Sequence, residues 1–235
     1  MLLKPLVRIA TLAGMTTISA AALAGPSDHS FAWTQQSIGS ATLLVNGSSV
    51  FTASNRGWVN DAGANNFGGT GGNYIAGICG SSDGCGGSDD DHHNYFAFNV
   101  VGLTGVSSAV LRLYQPSATD TGNATQVGFL SQSSSLSYTL WDALLDPTSS
   151  SGMGLYNDLA SGASFGSIIV DASTNGTTVS VTLNANGLTA LQAAAATGGA
   201  FYLGGAIGAV PEPETYALML LGLGAVGAAA RRRKS

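Results

Sequence analysis

Several stretches of this chain alternate apolar and polar residues. In Thr178-Val-Ser-Val-Thr-Leu183 the aliphatic side chains fall at every second position between hydroxyls, the pattern of a strand with one buried and one wet face. Ser108-Ala-Val-Leu-Arg-Leu-Tyr114 alternates as well: Val110, Arg112 and Tyr114 share one side, Ala109, Leu111 and Leu113 the other. Similar β-rich runs bounded by turn residues predict short strands at Ser30–Gln35, Ala41–Val45, Ser49–Ala53, Tyr95–Val101, Ala109–Gln115, Gln126–Ser131, Ser137–Trp141, Ser167–Asp171, Thr178–Leu183 and Ala200–Leu203. One short helix is predicted near 186–197. Its centre, Leu188 to Ala196, is dense in Ala, Leu and Gln; Asn184 or Asn186 can cap its start and Gly198-Gly199 ends it.

Short strands, one helix and no βαβ rhythm predict an all-β fold, an antiparallel β-sandwich of jelly-roll-like type. The segment Asn55 to Asn94, rich in Gly, Asn, Ser and Asp, breaks the pattern and reads as a long irregular loop.

Both ends of the chain follow other rules. Lys4 and Arg8 precede an uncharged run, Ile9 to Leu23, and Ala22-Leu23-Ala24 supplies a small-x-small cleavage site before Gly25. Residues 1–24 therefore read as a signal peptide, handled by the Sec translocon and signal peptidase. At the other end, Val210-Pro211-Glu212-Pro213 precedes fifteen uncharged residues, Tyr216 to Ala230, and then Arg231, Arg232, Arg233 and Lys234. An apolar helix over 216–230 falls short of the roughly 20 residues of a comfortable span, and the basic cluster favours the cytoplasmic side. The two prolines keep Glu212 extended and accessible.

This three-part ending, residues 210–235, closely resembles the PEP-CTERM sorting signal. The resemblance implies recognition by an exosortase, a membrane cysteine transpeptidase that removes the tail. It also implies a Gram-negative bacterium that makes exopolysaccharide, a transient stay in the inner membrane, and delivery to the cell surface or extracellular matrix.

Charge sharpens the picture of the body, residues 25–209. Six of the eight basic residues lie in the terminal segments, leaving Arg56 and Arg112 against eleven aspartates and no glutamate, a net charge of −9. So acidic a surface repels phosphate backbones and excludes nucleic acid as a partner. Ser, Thr, Asn and Gly carry most of the polarity, and hydroxyls and amides suit sugars or water. Asn94-Tyr-Phe-Ala-Phe-Asn-Val-Val101, followed by Leu103 to Tyr114, resembles a strand pair of secreted DNRLRE-type and carbohydrate-binding-like β-sandwich modules. That resemblance speaks to the fold, and none of those modules' ligand motifs is present.

Candidate chemistry is concentrated in Asp89-Asp-Asp-His-His-Asn94. Asp89, Asp91 and Asn94, with backbone carbonyls, form an oxygen set suited to Ca²⁺; His92 and His93 would favour a transition metal, but adjacent strand residues point to opposite faces. The alternative is a solvated polar loop ahead of the strand at Tyr95. Gly162-Ala-Ser-Phe-Gly166 matches a nucleophile-elbow pattern at Ser164, yet a strand rather than a helix is predicted after it. Gly222-Leu-Gly-Ala-Val-Gly227 lies in the tail helix, so it is no nucleotide loop. Trp33, Trp58, Trp141 and the tyrosines suit either the core or a sugar-stacking platform.

The resulting expectation is a non-enzymatic, exported surface or matrix protein associated with exopolysaccharide, needing no cofactor. Two alternatives are a carbohydrate-active enzyme built on an Asp pair and a Ca²⁺-dependent adhesion module. Cys79 and Cys85 flank a turn sequence and, in an oxidising compartment, are expected to form a disulfide. Peptide mass mapping of exported protein should recover a linked Cys79–Cys85 pair; alkylatable thiols at both positions would overturn it.

Overall fold

The computed structural model describes residues 30–31, 41–67, 69, 72–79, 90–115 and 136–209. They form two antiparallel sheets that share one core, a β-sandwich. The larger sheet holds β1 (Ser30–Phe31), β4 (Asn55–Asn60), β5 (Asn65–Phe67), β6 (Ala76–Cys79), β7 (Asp90–Asn99), β9 (Leu136–Asp142), β10 (Ser164–Val170) and β12 (Ala200–Ala209). The smaller one runs β11-β8-β2-β3, from β2 (Ala41–Val45), β3 (Ser49–Thr52), β8 (Ala109–Gln115) and β11 (Thr177–Thr182). Connections such as β3 to β4, β7 to β8 and β10 to β11 pass between the sheets, as the jelly-roll-like expectation requires.

Alternation decides which side chains meet in the middle. Leu43, Leu111, Leu113 and Val181 of the small sheet are fully buried in one cluster with Phe96, Tyr138, Leu140 and Leu203 of the large one. Burying each such side chain contributes roughly 1.5–3 kcal/mol. Arg112 lies on the opposite face of β8 and is exposed, as its position in the alternation dictates. The β2–β3 hairpin turns at Asn46-Gly47, both with positive φ, and the Asn46 carboxamide oxygen accepts from Ser107 N, Ser107 Oγ and Ser108 N.

The predicted helix is α2 (Ala185–Thr197). Asn184 is its cap, accepting from the backbone N–H groups of Asn186 and Gly187 at 3.0 and 3.1 Å. A second helix, α1 (Gly152–Asp158), goes beyond the sequence expectation. It has seven residues, two of them glycines, and no side-chain cap, so propensity does not announce it. Packing holds it: Leu155 and Leu159 are fully buried against the outer face of the large sheet with Val59 and Tyr95.

The expectation of an irregular loop from Asn55 to Asn94 is corrected. This stretch contributes β4, β5, β6 and the first half of β7. Strand β7 starts at Asp90 rather than Tyr95, and seven successive residues from His92 to Phe98 are buried. With both faces covered, apolar and polar residues no longer alternate, which is why the period-2 signal fails there. Strands predicted at Gln126–Ser131 and beyond Phe31 lie outside the described residues.

Strand β7 is the hub. One edge pairs with β4 over Ala97 to His92; the other pairs with β12 over Asn99 to Asn94 and with β6 over His92 to Asp90. Strand β12 leaves β7 after Gly205 and continues along β9 to Ala209. At that fork the Asn94 side chain is fully buried. Its Oδ1 accepts from Tyr138 Oη at 2.8 Å, and its Nδ2 donates to Tyr74 O at 3.1 Å. Gly205 makes the space: a Cβ there would lie 2.1 Å from Tyr138 Oη and 2.2 Å from Asn94 Oδ1. The Tyr74 hydroxyl donates across the sandwich to Tyr114 O at 2.9 Å, and the Arg56 guanidinium, 2% exposed, sits 4.8 Å over the Tyr74 ring.

This network yields a stability prediction. Asn94→Ala removes two buried hydrogen bonds at once and should cost about 3 kcal/mol. Gly205→Ala forces overlap with two fixed groups and should cost at least about 2 kcal/mol. Urea denaturation midpoints check both, with the exposed Thr178→Ala expected to stay within about 0.5 kcal/mol of the parent.

Candidate functional site

The polar half of β7 is where sequence reading concentrated its chemistry, and the pleat divides it. Asp91, His93, Tyr95 and Ala97 face outward, toward α1; His92, Asn94, Phe96 and Phe98 face the core between the sheets. Asp91 and Asn94 are three residues apart and therefore project from opposite faces. The Asp89, Asp91, Asn94 oxygen set is not brought together: Asn94 is consumed in the core, and Asp89 lies outside the described residues. Among the described residues no group of three or more His, Cys, Asp or Glu side chains is placed to hold a metal ion.

On the outer face, Asp91, His93 and Tyr156 of α1 form one cluster. His93 lies flat against Tyr156, ring centroids 3.9 Å apart and planes within 5°. His93 Nδ1 is 2.7 Å from Tyr156 O. A carbonyl only accepts, so Nδ1 carries the proton and Nε2 holds the lone pair, 3.7 Å from Asp91 Oδ2. Asp91 Oδ2 also accepts from Tyr156 Oη at 2.8 Å. The hydroxyl and the carbonyl of α1's tyrosine are thus both tied to β7, so the cluster fastens the short helix to the sheet. His93 is only 8% exposed beneath that ring. Burial pushes its pKa down, against the opposing influence of the Tyr156 carbonyl, Asp91 and Asp61.

On the inner face, His92 meets the edge of Trp58, centroids 4.7 Å apart, and its Nδ1 lies 3.3 Å from Gly77 O. Burial lowers its pKa too. Asp90 accepts from Asn60 Nδ2 at 2.9 Å, joining β7 to the end of β4. Among the carboxyl groups, Asp142 is raised by burial with the charge of Asp158 adding to it, while Asp158 Oδ2 accepts from Leu145 N at 2.9 Å.

The remaining candidate residues take other places. Ser164 opens β10, and Gly166 sits at an irregularity in its pairing with β9, so Ser164 is not on a strand-to-helix elbow. Trp58 and Trp141 are each half-buried on strands. Cys79 closes β6, but Cys85 lies outside the described residues, as do Trp33, the cleavage site at Ala22, Ala24 and Gly25, and the tail from Val210. No helix among the described residues is long and apolar enough to cross a membrane. Sequence reading missed Tyr156, because a tyrosine beside two glycines carries no helical signal until the sheet beneath it is known.

The architecture defines a class, an all-β sandwich whose strand β12 ends at Ala209. The residues beyond that strand identify it further. Residues 209–234 match the model of the PEP-CTERM protein-sorting motif, which includes Val210, Pro211, Glu212, Pro213, Arg231, Arg232, Arg233 and Lys234. The chain thus carries a PEP-CTERM sorting motif, which indicates an exported protein sorted by exosortase. It passes through a membrane-anchored intermediate on its way to the cell surface. No match was found among curated proteins or among solved structures.

The two buried histidines predict a pH dependence. Their folded pKa values lie below the ordinary 6.5, so the unfolded chain binds more protons at mildly acidic pH. Their stabilising contribution is complete above pH 6.5 and is lost as pH falls below it. Melting temperature should drop between about pH 7 and pH 5, on a scale of about 2–4 °C per kcal/mol lost for a domain this size. His93→Gln, which keeps a donor for Tyr156 O, should flatten that drop; an unchanged profile would refute the assignment.

Proposed function

We propose that this protein is a non-enzymatic component of the cell surface or extracellular matrix, associated with the exopolysaccharide laid down there. The observation that carries the proposal is the continuity between fold and address. Strand β12 is hydrogen-bonded to β9 through Ala209, and the sorting motif begins at that same residue. No linker or further module separates the body from the exosortase signal, so the sandwich itself is the delivered cargo.

The chemistry of the body supports the same reading. Its candidate reactive groups take structural parts: His93 and Asp91 hold α1, Asn94 holds the β7–β12 fork, and Asp158 caps a loop amide. With a net charge of −9 and a surface built on hydroxyls and amides, the sandwich suits a hydrated polysaccharide layer rather than an anionic partner.

Replacement of Pro211-Glu-Pro213 by alanines should leave the tail attached and the protein in the inner-membrane fraction. The readout is intact mass together with fractionation. Processing at the parental rate would overturn the sorting role. Extracellular polysaccharide from the producing cells should co-sediment the processed wild-type protein, and its failure to do so would overturn the association.

A further inference from the structure

We propose that an open groove beside the first residues of β12 is a binding site for a neutral saccharide chain. The groove has a volume of about 270 Å³ and lies on the outer face of the large sheet. Helix α1 covers that face as far as Gly204, where Leu159 packs directly on the glycine. Beyond the helix the cover stops. Ala97 and Ala200 leave the sheet low at this point, Tyr202 stands beside them, and Ser54, Asn99 and Thr148 add polar side chains to the lining. In the ladder Tyr202 is paired with Ala97 and Ala200 with Asn99, so an aromatic ring and a carboxamide flank two short side chains.

The polar atoms are matched to hydroxyls. Ser54 Oγ spends its proton on Ala97 O at 3.0 Å, and Thr148 Oγ1 spends its own on Asp146 Oδ1 at 2.7 Å. Both hydroxyls therefore offer lone pairs to the groove. Asn99 does the reverse: Oδ1 accepts from Val101 N at 3.2 Å, while Nδ2 has no partner among the described residues and offers donors. A sugar hydroxyl both donates and accepts, so one vicinal pair can satisfy both kinds of group. Tyr202 supplies an apolar ring for the C–H face of a pyranose.

Asp146 holds the Thr148 wall of the groove. Its carboxylate receives Thr148 N and Thr148 Oγ1, fixing that wall, and its charge lies near the Tyr202 hydroxyl. Although burial opposes ionisation, these hydrogen bonds hold Asp146 below its ordinary pKa, and burial together with that charge raises Tyr202. Asp146 also sets the sign of the ligand. No lining residue is charged, Arg56 is buried in the core and Arg112 sits on the other sheet. An anionic sugar would find no cation in the lining and the Asp146 carboxylate just behind Thr148, so the groove selects neutral chains over uronates.

Position argues the same way. Ala200 and Ala209 are at opposite ends of β12, about 30 Å apart at roughly 3.3 Å per residue. The groove thus opens at the end of the strand remote from the sorting motif.

This inference rests on the reading that the protein resides among extracellular polysaccharide, but the two fail separately. Processed full-length protein is titrated by calorimetry with neutral hexasaccharides of glucose, mannose and galactose, and with hexagalacturonate. A neutral hexasaccharide should bind, and the uronate should bind at least about tenfold more weakly. Asn99→Ala and Tyr202→Ala should each weaken binding about tenfold, with the exposed Ile169→Ala as a neutral control. Tyr202→Phe, which keeps the ring, should bind within about threefold of wild type, and Asn99→Ala tests the groove should Tyr202→Ala not fold. Absence of binding by all three neutral probes, equal binding of the uronate, or unchanged affinity in Asn99→Ala and Tyr202→Ala would overturn the groove. If these variants co-sediment with native polysaccharide as well as wild type does, only the groove fails. If wild type binds a neutral hexasaccharide yet does not co-sediment, only the association reading fails.

Discussion

The rest of the structure depends on one buried carboxamide. Strand β12 must leave β7 partway along in order to reach β9 and then the tail, and a fork in a sheet exposes polar groups that the core cannot leave bare. Asn94 fills the fork, taking the Tyr138 hydroxyl on one side and the Tyr74 carbonyl on the other. Gly205 contributes by having no side chain. Because the Tyr74 hydroxyl reaches Tyr114 O on the small sheet, the same network ties the two layers together. An apolar residue at 94 would strip a hydrogen bond from each neighbour, and a larger residue at 205 would push them apart. The costs of both changes come from the low dielectric around them.

From that fork the two faces of the large sheet take different tasks. The inner face packs against the small sheet and makes the core. The outer face is covered in part by α1, held by the stacked His93–Tyr156 pair and by Leu155 and Leu159, and open beyond it along Ala97, Ala200 and Tyr202. A helix too short to be stable alone gains its stability from the sheet, and its extent sets where the sheet remains accessible. Strand β12 then connects the accessible region to the sorting motif in a single run of ten residues.

Much of the fold was legible along the chain. The alternation in β8 and β11 and the Asn184 cap each obey local rules that the core does not contradict. The polar half of β7 was not legible. Asp90 to Asn94 reads as a hydrated loop or an ion site, since five consecutive polar residues carry no periodicity, yet the pleat sends alternate members into two different packed environments. The same pleat separates Asp91 from Asn94, and no spacing rule reveals that without the strand assignment. Tyr202, Asn99, Ser54 and Thr148 come from four separate segments, so only the assembled sheet makes them neighbours.

By itself the sequence determined the destination, the fold class and the charge of the body. Address signals are read by other machinery as linear chemistry, and alternation and composition are local properties, so neither waits for folding. Tertiary structure alone decided which polar residues became structural and which stayed available. A carboxamide or an imidazole has no intrinsic role; its role is set by the groups that compete for its hydrogen bonds once the sheets have closed and water has been excluded.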